Sequence, residues 1–177
     1  MDVPKFSADY RAAFDKCAVP LWNDIFDIAY IKTRNRSDAE TLTQETYLKA
    51  YQQFNTLNDI SKVRAWLASI LHNLFIDWLK EKKNLKLVDE WENFESDVIE
   101  SSQMPSSPKT TFTKEEEKQI EKISDQLPPV QREVFECKYL KNFTYGEIAQ
   151  MYGKSIGAVK TALAKARENL RRMRFDL

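Results

Sequence analysis

The chain has only three glycines and six prolines in 177 residues. So few breakers exclude a turn-rich β-sandwich or barrel and favour helices. Its two cysteines, Cys17 and Cys137, lie far apart and match no metal-ligand spacing. That excludes a disulfide framework and points to a reducing, cytoplasmic setting in which each is a small buried apolar residue. The single histidine, His72, has no cysteine or carboxylate at metal spacing and no serine or cysteine that it plausibly completes as a nucleophile. With no paired-carboxylate pocket and no glycine-rich phosphate loop, the residues do not read as those of an enzyme, and no cofactor or metal is expected. No apolar run approaches the roughly 20 residues of a membrane span, and the first ten residues lack the basic-then-apolar order of a signal peptide, so no membrane insertion is expected. Net charge is lacking too, at zero. A strongly basic balance is the usual mark of a nucleic-acid partner, so the distribution of the charges has to decide that question.

What is present is concentrated in residues 144–172, TYGEIAQMYGKSIGAVKTALAKARENLRR, which hold all three glycines. Ile148 and Ala149 precede Gly153 by five and four residues, and Ile156, Val159 and Leu163 follow it at helical spacing. That is the pattern of a helix-turn-helix. A small residue (Ala149) lets two helices approach, Gly153 takes a left-handed turn, and a branched residue (Val159) locks the second helix onto the first. The second helix carries Lys154, Lys160, Lys165, Arg167, Arg171, Arg172 and Arg174 against Glu168 alone. It reads as a DNA-contacting element.

The remaining charges are segregated as well. Six basic residues lie within 62–86 against Asp77 and Glu81, while 89–100 holds six acidic residues and no basic one. Two basic patches separated by an acidic connector suggest two DNA contacts on one chain. Residues 10–83 read as helices with breaks near Asn35 and Asn55. Ser37 with Glu40 forms a capping box for a helix to about Phe54, and Ser61 can cap a long helix over about 62–83. Leu67, Leu71, Leu74 and Trp78 form one stripe of that helix; Trp66, Ile70, Asn73 and Asp77 form a second that turns polar halfway along. At core spacing, Trp66 and Trp78 read as core. Residues 84–112 lose periodicity, become acidic and then Ser/Pro-rich, and read as an extended linker. Thr113 with Glu116 opens a charged helix to about Asp125. Pro128 and Pro129 start the next, with Val134, Phe135, Cys137 and Leu140 inward, and Thr144 with Glu147 caps the first helix of the helix-turn-helix.

These residues resemble the small two-domain bacterial sigma factors of the extracytoplasmic-function type. SDAETLTQETYLKAYQQF followed by RAWLASILHNLFIDWLKEKK is similar to the sigma domain that grips core RNA polymerase and melts the minus-10 element. LPPVQREVFECKYLKNFTYGEIAQMYGKSIGAVKTALAKARENLR is similar to the domain that reads the minus-35 element. The resemblance implies an all-α fold of two small helical domains, a region 2 bundle over 1–83 and a region 4 helix-turn-helix over 113–177, joined by a flexible linker over 84–112.

It also implies roles. Asp38, Glu40, Gln44, Glu45 and Leu48 would meet a basic coiled coil of the largest polymerase subunit, with acidic groups near a helix N-terminus complementing its dipole. The same side chains would otherwise be solvated helix charges. Asn55, Asn58, Asp59, Ser61 and Lys62 would line a pocket for an everted minus-10 base, with Arg64, His72, Asn73, Asp77 and Lys80 continuing along the next helix, His72 exposed or facing a phosphate. Ser155 would cap the recognition helix. Lys160, Thr161, Ala164 and Lys165 would face the major groove near Gly157 and Ala158, while Lys154 and Arg167 would sit on phosphates. Lysine or alanine stands at Lys160, Ala162 and Ala164 where the family often has arginine. Lysine lacks arginine's bidentate fork, so reading should lean on methyl contacts and DNA shape. An anti-sigma factor is the implied regulatory partner, and the chain is expected to be monomeric without one. The competing reading is a dimeric helix-turn-helix regulator, which would need a more uniformly apolar N-terminal face.

Overall fold

The computed structural model describes residues 7–94 and 112–175. Among these residues there is no strand. They fall into two compact units, one ending at Trp78 and the other beginning at Leu79.

The first unit holds α1 (Ala8–Ala18), α2 (Trp22–Thr33), α3 (Arg36–Gln53) and most of α4 (Val63–Glu81). Ser7 caps α1 by accepting from the Tyr10 N–H at 3.1 Å. Tyr10, Phe14 and Ala18, at i, i+4 and i+8, bury one face of α1. The Phe14 ring meets Tyr51 and Phe54 edge-on at 5.2 and 5.3 Å, contacts that add about 0.5–1.5 kcal/mol each beyond area burial. Helix α2 stops at Arg34, whose φ of 52° closes the last turn. Asn35 then takes the cap of α3, its side chain accepting from the Asp38 N–H. The expected Ser37–Glu40 box is therefore not formed, because the helix already starts at Arg36; Glu40 instead accepts from Arg36 Nε at 3.0 Å. Ile25, Ile28 and Ala29 of α2 are buried, as are Ala39, Leu42 and Ala50 of α3. Thr43 and Thr46 join them inside because their hydroxyls donate to the carbonyls one turn back, each at 2.7 Å.

The second unit holds α5 (Leu85–Glu92), α6 (Lys114–Ser124), α7 (Pro129–Tyr139), α8 (Tyr145–Tyr152) and α9 (Ile156–Phe175). Thr113 with Glu116 and Thr144 with Glu147 form complete capping boxes, and Pro129 occupies the first turn of α7. Leu127, Val134, Cys137, Phe143, Ile148, Val159, Leu163 and Ala166 are buried. Phe135 and Leu140, expected inward, are only half-buried. Two carboxylates take buried places on α7 instead. Glu133 accepts from the Tyr152 hydroxyl at 2.8 Å, and Glu136 accepts from the Ser124 hydroxyl. Burial in this cluster pushes the Tyr152 phenol well above its ordinary pKa, with Cys137 and Glu133 adding to the effect.

Helix α5 departs from the expected extended linker. Val88 and Trp91, one turn apart, are buried, and the Trp91 ring lies 4.6 Å from that of Tyr152. The Ser/Pro-rich composition that suggested extension begins only beyond α5, and residues 95–111 lie outside the described residues.

Candidate nucleic-acid interface

In the first unit, the buried side of α3 runs through Ala39, Leu42, Thr43, Thr46 and Ala50. Leu48 lies on the opposite side, 63% exposed. Gln44 and Glu45 are exposed beside it, Glu40 is exposed toward one edge of the face, and Asp38 is half-buried in the first turn. A leucine held out in water among carboxylates and an amide is a surface suited to a basic, partly apolar partner.

The segment after α3 makes two short 3₁₀ turns, Phe54–Thr56 and Ile60–Lys62. Asn55, Asn58, Asp59, Ser61 and Lys62 are all exposed on it. Asp59, not Ser61, provides the cap: its Oδ1 accepts from the Ser61 N–H at 3.0 Å and from the Ser61 hydroxyl at 2.7 Å. Those bonds, the hydroxyl's first, hold the Asp59 carboxyl below the ordinary aspartate range.

The α4 candidates separate into two groups. Asn73, Asp77 and Lys80, at i, i+4 and i+7, are exposed on one stripe. Arg64 lies on the other side of the helix, its Nε 3.0 Å from Asp24 Oδ2, and ties α4 to α2. His72 is corrected: it is only 7% exposed, with Nδ1 3.2 Å from Lys32 Nζ. It falls on the inner side of α4 and faces no phosphate. Trp66 is also displaced from its expected core position. It is half-buried, its ring 6.5 Å from that of Phe54, at the head of the Asn73–Asp77–Lys80 stripe. The spacing already places Trp66, Asn73 and Asp77 on one stripe that turns polar; only the reading of Trp66 as core was wrong.

In the second unit, Gly153 closes α8 with φ 60° in the left-handed region. Ser155 caps α9, its hydroxyl accepting from the Ala158 N–H at 3.1 Å. The basic side chains of α9 rest on neighbours. Lys160 Nζ stands 5.9 Å from the centre of the Tyr145 ring, and Arg167 donates to the Tyr139 hydroxyl. Lys154 Nζ donates to the Glu92 carbonyl at 3.3 Å. Gly157 is exposed, and Ala164 and Lys165 are half-buried. Ala158 and Thr161 are buried, so in this arrangement Thr161 does not open toward a groove. Cys137 is buried and Cys17 half-buried, both as free thiols.

Known proteins resolve what this chain is, although the first match runs past the first unit into α5. The model of sigma-70 region 2 matches residues 23–97, and that of sigma-70 region 4 matches residues 117–170. The chain belongs to the sigma-70 family. Its relatives make it a factor of the extracytoplasmic-function type. It is 29% identical to the ECF RNA polymerase sigma factor SigM of Bacillus subtilis, over 84% of this chain and 87% of that one. It is 27% identical to the probable RNA polymerase sigma factor RfaY of Xanthomonas campestris pv. campestris, over 99% of this chain but 44% of that protein's length. The sigma factor RpoE of Bartonella quintana, solved in complex with the anti-sigma factor NepR, shares the fold with a TM-score of 0.62 at 22% identity, covering 94% of this chain and 96% of that one. Among the described residues, no helix of this sigma factor is long and apolar enough to cross a membrane.

Proposed function

We propose that this sigma factor binds core RNA polymerase and directs promoter-specific initiation, its region 2 unit opening the minus-10 element and its region 4 unit reading the minus-35 element. One observation carries the reading. Regions 2 and 4 match in that order along the chain, the described residues form two compact units, and each unit carries polar groups of the chemistry its task needs. Polymerase docks on the outward side of α3 through Asp38, Glu40, Gln44, Glu45 and Leu48, carboxylates around one exposed apolar contact. The 3₁₀ turns supply Asn55, Asn58, Asp59, Ser61 and Lys62 for an everted base, whose removal from the stack costs a few kcal/mol that these contacts must return. Asn73, Asp77 and Lys80 continue the track. In region 4, the amides at the start of α9 and the Lys154, Lys160, Lys165 and Arg167 side chains supply the phosphate and groove contacts.

The chain acts in the cytoplasm as a monomer until it meets polymerase or an anti-sigma partner, the last of these supported by the anti-sigma complex in which its Bartonella structural relative was solved. The test is reconstitution. Core polymerase free of sigma should co-elute with this protein and acquire initiation at defined sites. Failure to associate, or association without initiation anywhere, removes the proposal.

A further inference from the structure

Helix α9 turns Val159, Leu163 and Ala166 into its own core, all three fully buried. Thr161 lies about 140–160° round the helix from Leu163 and Ala166, toward the side where a recognition helix should be open. It is nevertheless only 6% exposed. Ala158 and Ala162 beside it are buried as well, so Thr161 sits at the edge of the buried arc of α9. The cleft that it lines, of about 190 Å³, is bounded by the start of α7 and, beyond that, by Glu90, Asn93 and Phe94. The last three belong to α5 and the turn that ends it. Three further contacts fasten α5 to the helix-turn-helix: Trp91 on Tyr152 at 4.6 Å, Phe94 on Tyr152 at 6.4 Å, and the Glu92 carbonyl accepting from Lys154. Glu90 and Lys165 line the same cleft.

We propose that α5 is a built-in cover at one edge of the recognition helix, competing with duplex DNA for the Lys154, Thr161 and Lys165 positions, and that it must leave before region 4 reads its element. The proposal rests on the reading of region 4 as a duplex-binding unit. Trp91 is the anchor and the Glu90–Glu92 segment is the stand-in for DNA. A cover closed nine-tenths of the time lowers the apparent affinity about tenfold, since only the open fraction binds.

Two readouts on the full chain test it. In a Cys17→Ser background, Thr161→Cys should react slowly with a maleimide. Adding Trp91→Ala should speed the reaction roughly tenfold, matching the gain in open fraction. Asp89→Pro provides a second variant that breaks α5 at an exposed position without removing a core side chain, and it should act the same way. Equal rates in all three proteins overturn the cover. Binding of a fluorescent 30-base-pair mixed-sequence duplex at low salt, with Thr161 native, should tighten about tenfold in both variants. Binding at unchanged affinity overturns the competition while leaving duplex binding by region 4 intact. If no variant binds the duplex at all, the reading of region 4 fails with it, and the thiol rates show separately whether α5 covers α9.

Discussion

The region 2 and region 4 units solve the same problem, presenting a helix to a charged partner, with opposite surfaces. In region 2 the candidate residues of α3 and of the turns after it stand almost entirely in water, with Leu48 and Ile60 among the most exposed large apolar side chains. In region 4 one edge of α9, at Thr161 and Lys165, shares a cleft with α5, while Gly157 and Glu168 are exposed. The interiors differ as well. Buried threonine hydroxyls in region 2 bond to their own helix, as Thr43 and Thr46 do, while its tyrosine hydroxyls reach backbone carbonyls of other helices, Tyr47 to Ala18 and Tyr10 to Tyr51. Buried carboxylates in region 4 bond across helices, Glu133 to Tyr152 of α8 and Glu136 to Ser124 of α6. Buried carboxylates bridging helices are found in region 4, while region 2 combines aromatic packing with hydroxyl-to-carbonyl bonds.

The strongest way to break this comparison is at Phe143, which is fully buried. Phe143→Ala should cost the region 4 unit about 3–5 kcal/mol. Amide exchange should then accelerate across α7, α8 and α9 while α2 and α3 keep their protection. An equal loss in both units would show that they do not hold themselves together separately.

A smaller effect separates the two kinds of buried polar group. Ser124→Ala takes a donor from the buried Glu136 carboxylate and should cost about 1–3 kcal/mol in denaturant unfolding. Thr46→Val, whose hydroxyl only duplicates a bond within its own helix, should cost under about 1 kcal/mol. Similar values for the two substitutions would erase the distinction.

Arg167 probes the candidate face more gently. If its guanidinium leaves Tyr139 for a phosphate, Arg167→Gln lowers the slope of log K against log salt by about 0.9 in duplex binding. An unchanged slope keeps it as a strut between α9 and α7.

The smallest effect concerns the exposed turn of region 2. Asp59 has a lowered pKa, so its bonds to Ser61 are intact above the ordinary aspartate value and are lost as pH falls through the lowered one. The Ser61 amide shift followed by NMR should titrate below the usual aspartate range. Titration at the ordinary value would mean that the turn is not capped in solution.

The helix-turn-helix was legible because its determinants are local: Ala149, Gly153 and Val159 lie within one short segment. The Thr113 and Thr144 boxes were legible for the same reason, each needing only a partner three residues on. The Ser37 box failed because a residue outside the pattern, Asn35, caps the helix first once α2 ends at Arg34. Glu133 and Glu136 were not among the residues expected inward, because the groups that satisfy them, Tyr152 and Ser124, lie on other helices. His72 was misplaced for a related reason, since Lys32 belongs to α2. Period and charge said which helix could meet DNA; they carried no information about what else in the chain lies on it. Trp66 stands between these cases, its stripe written in the spacing but obscured by the apolar residue type.

The most direct test is start-site mapping on a random-sequence promoter library transcribed by core polymerase with this protein. The account predicts two enriched sequence boxes at a fixed separation. The upstream box should fade when Lys160 and Lys165 are changed to glutamine, while the downstream one persists. Transcripts that start without either box, or a single box that both units' variants abolish together, would contradict it.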